Sequence, residues 1–176
     1  MLAWPKKVIF PVLLTLAFAL LGAAPAHAAT PDLTCTFGSA YLSLDSPLQA
    51  GQSAYFQGYA NLTGCTSSDG YSNLTQAPVA FSGIATAAPG TNPCALILDL
   101  KFTGGIYWPD GEITGLAGSL STNPADPPLG LSLKATSGPL AGDTAAALPV
   151  VVPNLNCLLA GLNSLSAPLF IVSFGS

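Results

Sequence analysis

A chain with this little charge cannot show long helices to water. Asp, Glu, Lys and Arg make up 7% of its 176 residues, and a helix at a protein surface needs a polar face along its whole length. Gly, Ala, Ser, Thr and Pro dominate instead, and turn residues recur at short intervals, the pattern of many short strands. Cys94 to Phe102 carries the clearest alternation. Cys94, Leu96, Leu98, Leu100 and Phe102 fall on one face, with Ala95, Ile97, Asp99 and Lys101 on the other, which is the period of two of a strand. Leu129 to Ala135 repeats it, with Leu129, Leu131 and Leu133 inward and Lys134 outward. Further strands are predicted over 33–44, 52–63, 78–87, 104–108, 112–120, 142–152 and 168–174. Residues 121–128 read as a loop, and Asn154 to Leu165 as a segment with one short helical turn capped by Asn154. The predicted fold is all-β, an antiparallel β-sandwich or partly closed barrel of about 8–9 strands with two disulfides. An open sandwich is placed ahead of a lipocalin-like closed barrel.

Residues 1–28 read as a secretory signal peptide. Lys6 and Lys7 form a positive start, Val8 to Leu21 an apolar stretch interrupted by Pro11, and Ala26-His27-Ala28 a small-x-small cleavage site. The apolar run is shorter than the roughly 18–20 residues that span a bilayer. Residues 29–176 are then a single secreted β domain with no internal repeat or linker and no second segment long enough to cross a membrane. They hold two Lys against eight carboxylates, which excludes a basic nucleic-acid footprint and a polybasic lipid patch.

All four cysteines, Cys35, Cys65, Cys94 and Cys157, lie in the exported part. An even count in an oxidising compartment predicts two disulfides, and the spacings fit neither a redox CxxC pair nor a zinc site. Three pairings are open. The break at Ser46-Pro47-Leu48-Gln49-Ala50-Gly51 turns 33–44 back on 52–63 and brings Cys35 near Cys65, so Cys35–Cys65 is preferred, leaving Cys94–Cys157.

Beyond residue 28 the chain has no His, no Arg and no Met, and Glu112 is its one Glu. Most enzymes need a group that titrates near neutral pH, usually His, so the inventory predicts a protein without catalytic residues, cofactor or metal. Asp110 and Glu112 are the one closely spaced carboxylate pair. They sit in Trp108-Pro109-Asp110-Gly111-Glu112, a tight hairpin turn by its Pro and Asp-Gly. Two carboxylates about 5–10 Å apart can hydrolyse a glycoside, with Tyr107 and Trp108 to stack on a sugar, although a solvated turn over a packed Trp explains the same residues. Ser-based acyl transfer has only Lys101 and Lys134 to serve as base, and both alternate onto polar faces. Ser67 to Asn73 is faintly like a calcium loop but has Asp69 as its single charge. Asn61-Leu62-Thr63 and Asn73-Leu74-Thr75 match the N-glycosylation pattern. Tyr55 and Tyr59 share one face of the second strand, with Phe56, Gly58 and Ala60 on the other. An exposed Tyr pair suits sugar stacking or a protein interface.

The order of several pieces resembles a group of secreted actinobacterial proteins. The pieces are an early Cys35; Gly64-Cys65 before a polar loop; Phe81-Ser82-Gly83-Ile84-Ala85-Thr86; Gly105-Ile106-Tyr107-Trp108-Pro109-Asp110-Gly111 after Cys94, similar to a Gly-x-x-x-Trp-x-Asp-Gly turn; Thr136 to Asp143; and a late Cys157-Leu158. This chain is richer in Leu, Ala and Pro than the Thr-rich strands of that group. The resemblance implies a secreted β domain and transfers no catalytic residue.

The sequence therefore predicts a non-catalytic secreted or envelope-associated binding or structural module for an unidentified protein or glycan ligand. The candidate ligand surface is Tyr55 and Tyr59 together with the Tyr107–Glu112 turn, Trp108 and Asp110 included. Three alternatives stand beside it: a small secreted protease inhibitor, a carbohydrate-acting enzyme using Asp110 and Glu112, and a barrel carrying a small apolar ligand. A large Leu-lined cavity would favour the last, and a solid core would exclude it.

Overall fold

The computed structural model describes residues 32–68, 70–123, 130–147 and 149–176. Residues 1–28, Asp69, most of the 121–128 loop and Leu129 therefore fall wholly or partly outside the described residues, and the readings made on them stay expectations. Nine strands follow one another: β1 (Leu33–Leu48), β2 (Ser53–Ser67), β3 (Ala77–Ala87), β4 (Leu98–Tyr107), β5 (Ile113–Ser121), β6 (Gly130–Ser137), β7 (Thr144–Ala147), β8 (Val152–Pro153) and β9 (Leu162–Gly175). A 3-10 turn (Pro93–Ala95) precedes β4, and a short helix α1 (Cys157–Ala160) precedes β9.

Each strand from β1 to β7 pairs antiparallel with the next, and β9 lies between β7 and β1. Eight strands thus close into one antiparallel barrel, the arrangement that leaves no open sheet edge. Of the two expected architectures, the closed sheet is the one adopted, not two facing sheets. Closure needs coiled strands, and β1 supplies this through register shifts against β9 between Cys35 and Gly38, Gly38 and Ala40, and Ser43 and Leu48.

Inward positions alternate with outward ones as the period of two requires. On β2, Ala54, Phe56, Ala60 and Leu62 are buried while Tyr55, Gln57, Tyr59 and Asn61 are exposed. Four strands carry an interlocked set of phenylalanines and glycines on the inner face. Phe56 of β2 stands opposite Gly83 of β3, which stands opposite Phe102 of β4, opposite Gly118 of β5. One row over, Gly58 faces Phe81, which faces Gly104. Each ring lies over a residue without a side chain, so the barrel turns tightly there and the rings still fill the interior. Phe81 packs on Phe102 and Phe56, with centroids 5.5 and 6.2 Å apart.

Both disulfides join the expected cysteines. Cys35 and Cys65 are directly opposite on β1 and β2. Cys94 of the 3-10 turn joins Cys157 of α1, with Cα atoms 5.8 Å apart. The first lies at the barrel end that holds the Trp108 turn, and the second at the opposite end.

Three local expectations are corrected. The strand read from Cys94 begins only at Leu98, because Asn92 and Pro93 start a 3-10 turn and Leu96 takes a left-handed conformation (φ 58°) that ends it. That strand then runs on through the segment predicted separately at 104–108. The strand predicted over 142–152 is two short pieces, β7 and β8. Asn154 does not cap α1; Asn156 is at the cap position, and the Asn154 side chain instead donates to the Gly161 carbonyl (3.2 Å) and accepts from the Asn163 N–H (3.1 Å).

Candidate functional site

The interior is packed at both ends and open between them. One buried cluster, with Leu33, Ile106, Trp108, Leu140 and Phe174, fills the end that carries Cys35–Cys65. Another, with Leu48, Phe56, Leu98, Leu162 and Cys157, fills the opposite end. Between them lies a cavity of about 110 Å³. Leu42, Leu62, Phe81, Phe102, Leu116, Leu131, Leu133 and Phe170 are among the side chains that line it. Its lining is almost wholly apolar; of the described residues that border it, Tyr41 and Ser166 are the polar ones, and the Tyr41 ring lies on the outer wall against Tyr59. Protein cores rarely hold voids larger than a water molecule, and a void without polar partners stays dry and accepts apolar guests.

The cavity reaches a stretch of wall where the ladder lapses. β7 pairs with β9 through Ala146 and Ser173, and β8 through Val152 and Ser166. Between these points, residues 167–172 of β9 have no ladder partner on that side among the described residues. This stretch is roughly 20 Å long at the usual strand rise. Pro149 and Val151 pass across the gap and line the cavity, as do Ala167, Phe170 and Val172. Proline has no N–H to give a ladder, and the gap has one on each side, Pro149 and Pro168. The lapse in pairing is therefore built into the covalent chain.

The hairpin residues singled out from the sequence lie elsewhere. The turn is closed by the Trp108 N–H donating to the Glu112 carbonyl (2.9 Å) and the Gly111 N–H to the Trp108 carbonyl (3.0 Å). Asp110 accepts from the Glu112 N–H at 3.0 Å, so its carboxylate braces the turn. Asp110 and Glu112 are exposed and line neither the interior cavity nor the outer groove described below. Trp108 is 3% exposed, and its indole N–H donates to the Thr114 hydroxyl at 2.9 Å. That burial removes Trp108 from the candidate ligand surface, because its ring faces are spent on the core. Tyr107 remains exposed.

Tyr55 and Tyr59 are exposed on the outer wall, as the alternation implies. Tyr59 pairs with Tyr41 across β1 and β2, with ring centroids 5.6 Å apart. Tyr107 does not join them, since Ala80 and Gly105 separate it from Tyr59 in the register. Tyr55 borders a broad outer groove of about 1660 Å³ along with Ile84, Asp99, Lys101 and Lys134. Both lysines are exposed. Asn61 and Asn73 of the glycosylation patterns are exposed as well.

One titratable group stands apart. Asp143, 6% exposed, has a carboxylate oxygen with no hydrogen-bond partner among the described residues. Burial, and then the charge of Asp32, push its carboxyl above the ordinary aspartate range. A carboxyl raised on folding stabilises the protein below its unfolded pKa, and that contribution is lost as pH rises through the folded one. Asp143→Asn is therefore expected to melt at a higher temperature than wild type at pH 7, with the difference vanishing at pH 3. Equal melting temperatures at pH 7 would show that the buried charge carries no cost.

Compared with known proteins, the chain matches no protein family and no curated sequence. No helix among the described residues is long and apolar enough to cross a membrane.

Proposed function

We propose that this chain is an exported, disulfide-braced barrel that binds a small apolar molecule in its interior. The single observation that carries the reading is the apolar cavity of about 110 Å³ between two packed ends. An engineered cavity of about 150 Å³ in another protein stays dry and takes up benzene, so the fitting ligand is a small aromatic molecule or the tip of an aliphatic chain. The unpaired stretch of wall beside Pro149 and Val151 gives such a ligand a way in. The signal-like residues 1–28 and the two disulfides suit an oxidising, extracytoplasmic compartment. The role is binding, not catalysis: a dry pocket without acid, base or nucleophile holds a guest unchanged.

Thermal melting tests it. A ligand at ten times its Kd stabilises by about 1.4 kcal/mol, which raises Tm by about 3–6 °C in a chain of this size. Benzene, toluene, indole and short alkanols form the panel. Ala167→Leu, which places extra carbons at the edge of the cavity, is expected to abolish the shift while the variant itself melts near wild type. A panel that never moves Tm, or a shift that survives in Ala167→Leu, rules the interior site out.

A further inference from the structure

We propose that the α1 end of the barrel docks onto a neutral lipid surface, with Leu155, Leu158 and Leu159 entering the acyl layer. The unpaired stretch of wall beside them then exchanges apolar ligand with that layer. The docking stands by itself; the exchange rests on the interior-site reading.

The three leucines are 101%, 82% and 92% exposed, an extreme cost for a surface that only meets water. They sit together on the segment between β8 and β9, flanked by exposed Val150 and Val152. The segment is pinned in shape. Cys157 ties it to Cys94, and Asn154 clamps it through Gly161 and Asn163. Part of its backbone is already paired: the Cys157 N–H donates to the Asn154 carbonyl, the Leu159 and Ala160 N–H groups to the Asn156 carbonyl and the Gly161 N–H to that of Cys157. Those bonds lie within the segment and stay made when the leucine side chains enter an apolar layer.

Charge and area choose the occupant. From Thr144 to Ser176 the chain has no Asp, Glu, Lys, Arg or His, so nothing charged on β7, β8, α1 or β9 must be dehydrated. The absence of a basic cluster points away from anionic headgroups and toward a neutral bilayer. A second copy is the poorer fit, because a stable interface takes about 20–30 residues a side and this knob presents only a small cluster, Leu155, Leu158 and Leu159 with Val150 and Val152 beside them. A bilayer needs no matching surface, and each leucine it buries is worth about tenfold or more in partitioning.

Flotation of the chain, purified after export and with its first residue fixed by mass spectrometry, on phosphatidylcholine vesicles reads the proposal directly. Wild type is expected to float with the vesicles. L155S/L158S/L159S should partition at least about a hundredfold less, with L159S alone intermediate, and melting and the indole-induced Tm shift should be unchanged. Failure of wild type to float, or undiminished flotation of the triple variant, overturns docking whatever indole does. A wild-type dimer by light scattering that the triple variant dissociates also overturns it, since a second copy would then cover the leucines. Flotation of a chain whose Tm no member of the benzene, toluene, indole and alkanol panel moves would keep the docking and remove the interior site.

Discussion

Gly83→Ala is expected to cost about 3 kcal/mol or more, the upper end of the overpacking range. That lowers Tm by about 6–12 °C. Gly83 lies opposite Phe102 where β3 and β4 run closest, and a Cβ built on it falls on the Lys101 carbonyl oxygen and against the Phe102 Cα. Both obstacles are backbone, so no side-chain rotation relieves them. Gly104 sets the mirror-image contact on the same strand pair, against the Ala80 carbonyl oxygen and Phe81. Gly118 differs in kind, because its Cβ would meet only the side chains of Leu133 and Phe102, at 2.7 Å. Gly118→Ala should therefore be milder, and Phe102→Leu should recover part of its loss as a non-additive pair. The same Phe102→Leu should recover none of the Gly83→Ala loss. Gly105→Ala, whose Cβ meets the Ile113 side chain at 3.3 Å, serves as the near-neutral control. Equal melting of Gly83→Ala and Gly105→Ala would mean that the Gly–Phe set does not hold the curvature of the barrel.

That set shows which parts of the fold could be read in the chain and which could not. Alternation on β2 was legible because its two faces differ so plainly, with Phe56 and Ala60 against Tyr55 and Tyr59. The Cys35–Cys65 bridge was legible because one turn fixes one register, and that register places the two cysteines opposite each other. Phe102 and Gly83 were both visible, but their opposition depends on the β3–β4 register, which no local signal sets. Closure was hidden for the same reason: the pairing of β1 with β9 joins the two ends of the domain, and a period of two is identical in a sandwich and a barrel. The alternation at Cys94 to Leu96 misled, because Asn92-Pro93 starts a turn that hydrophobic spacing cannot override. Pro168 hid the first half of β9, where a bulge between Ala167 and Phe170 absorbs it. The cavity was out of reach altogether, since it is a remainder left when eight curved strands have packed both ends. Of the residues picked for a surface, Tyr55, Tyr59 and Tyr107 are outward, while Trp108 went to the core because Thr114 offers its indole a partner.

Removing the second disulfide should produce the other large effect. Cys94 and Cys157 are separated by 63 residues, and opening a loop of that length costs about 4 kcal/mol on the chain-entropy account. Cys94→Ala/Cys157→Ala is accordingly expected to lower Tm by about 8–16 °C. Alanine keeps Cys157's buried site apolar, so the loss reports the cross-link and not a stranded hydroxyl. A second consequence is local. The bridge is the covalent tie between α1 and the 3-10 turn before β4, across the end of the barrel that carries Leu155, Leu158 and Leu159. With it gone, the amides of Leu159, Ala160 and Gly161 should exchange with solvent much faster, while those of β3 and β4 in mid-barrel slow or quicken only with global stability. Cys35→Ala/Cys65→Ala opens a shorter loop of 30 residues, and its partners already face each other in a ladder, so it should leave exchange in α1 untouched. If the α1 amides stay protected without Cys94–Cys157, the Asn154 clamp alone holds the leucines in place. Vesicle binding should then survive reduction of the disulfide; if the cross-link is what holds them, binding should weaken along with that protection.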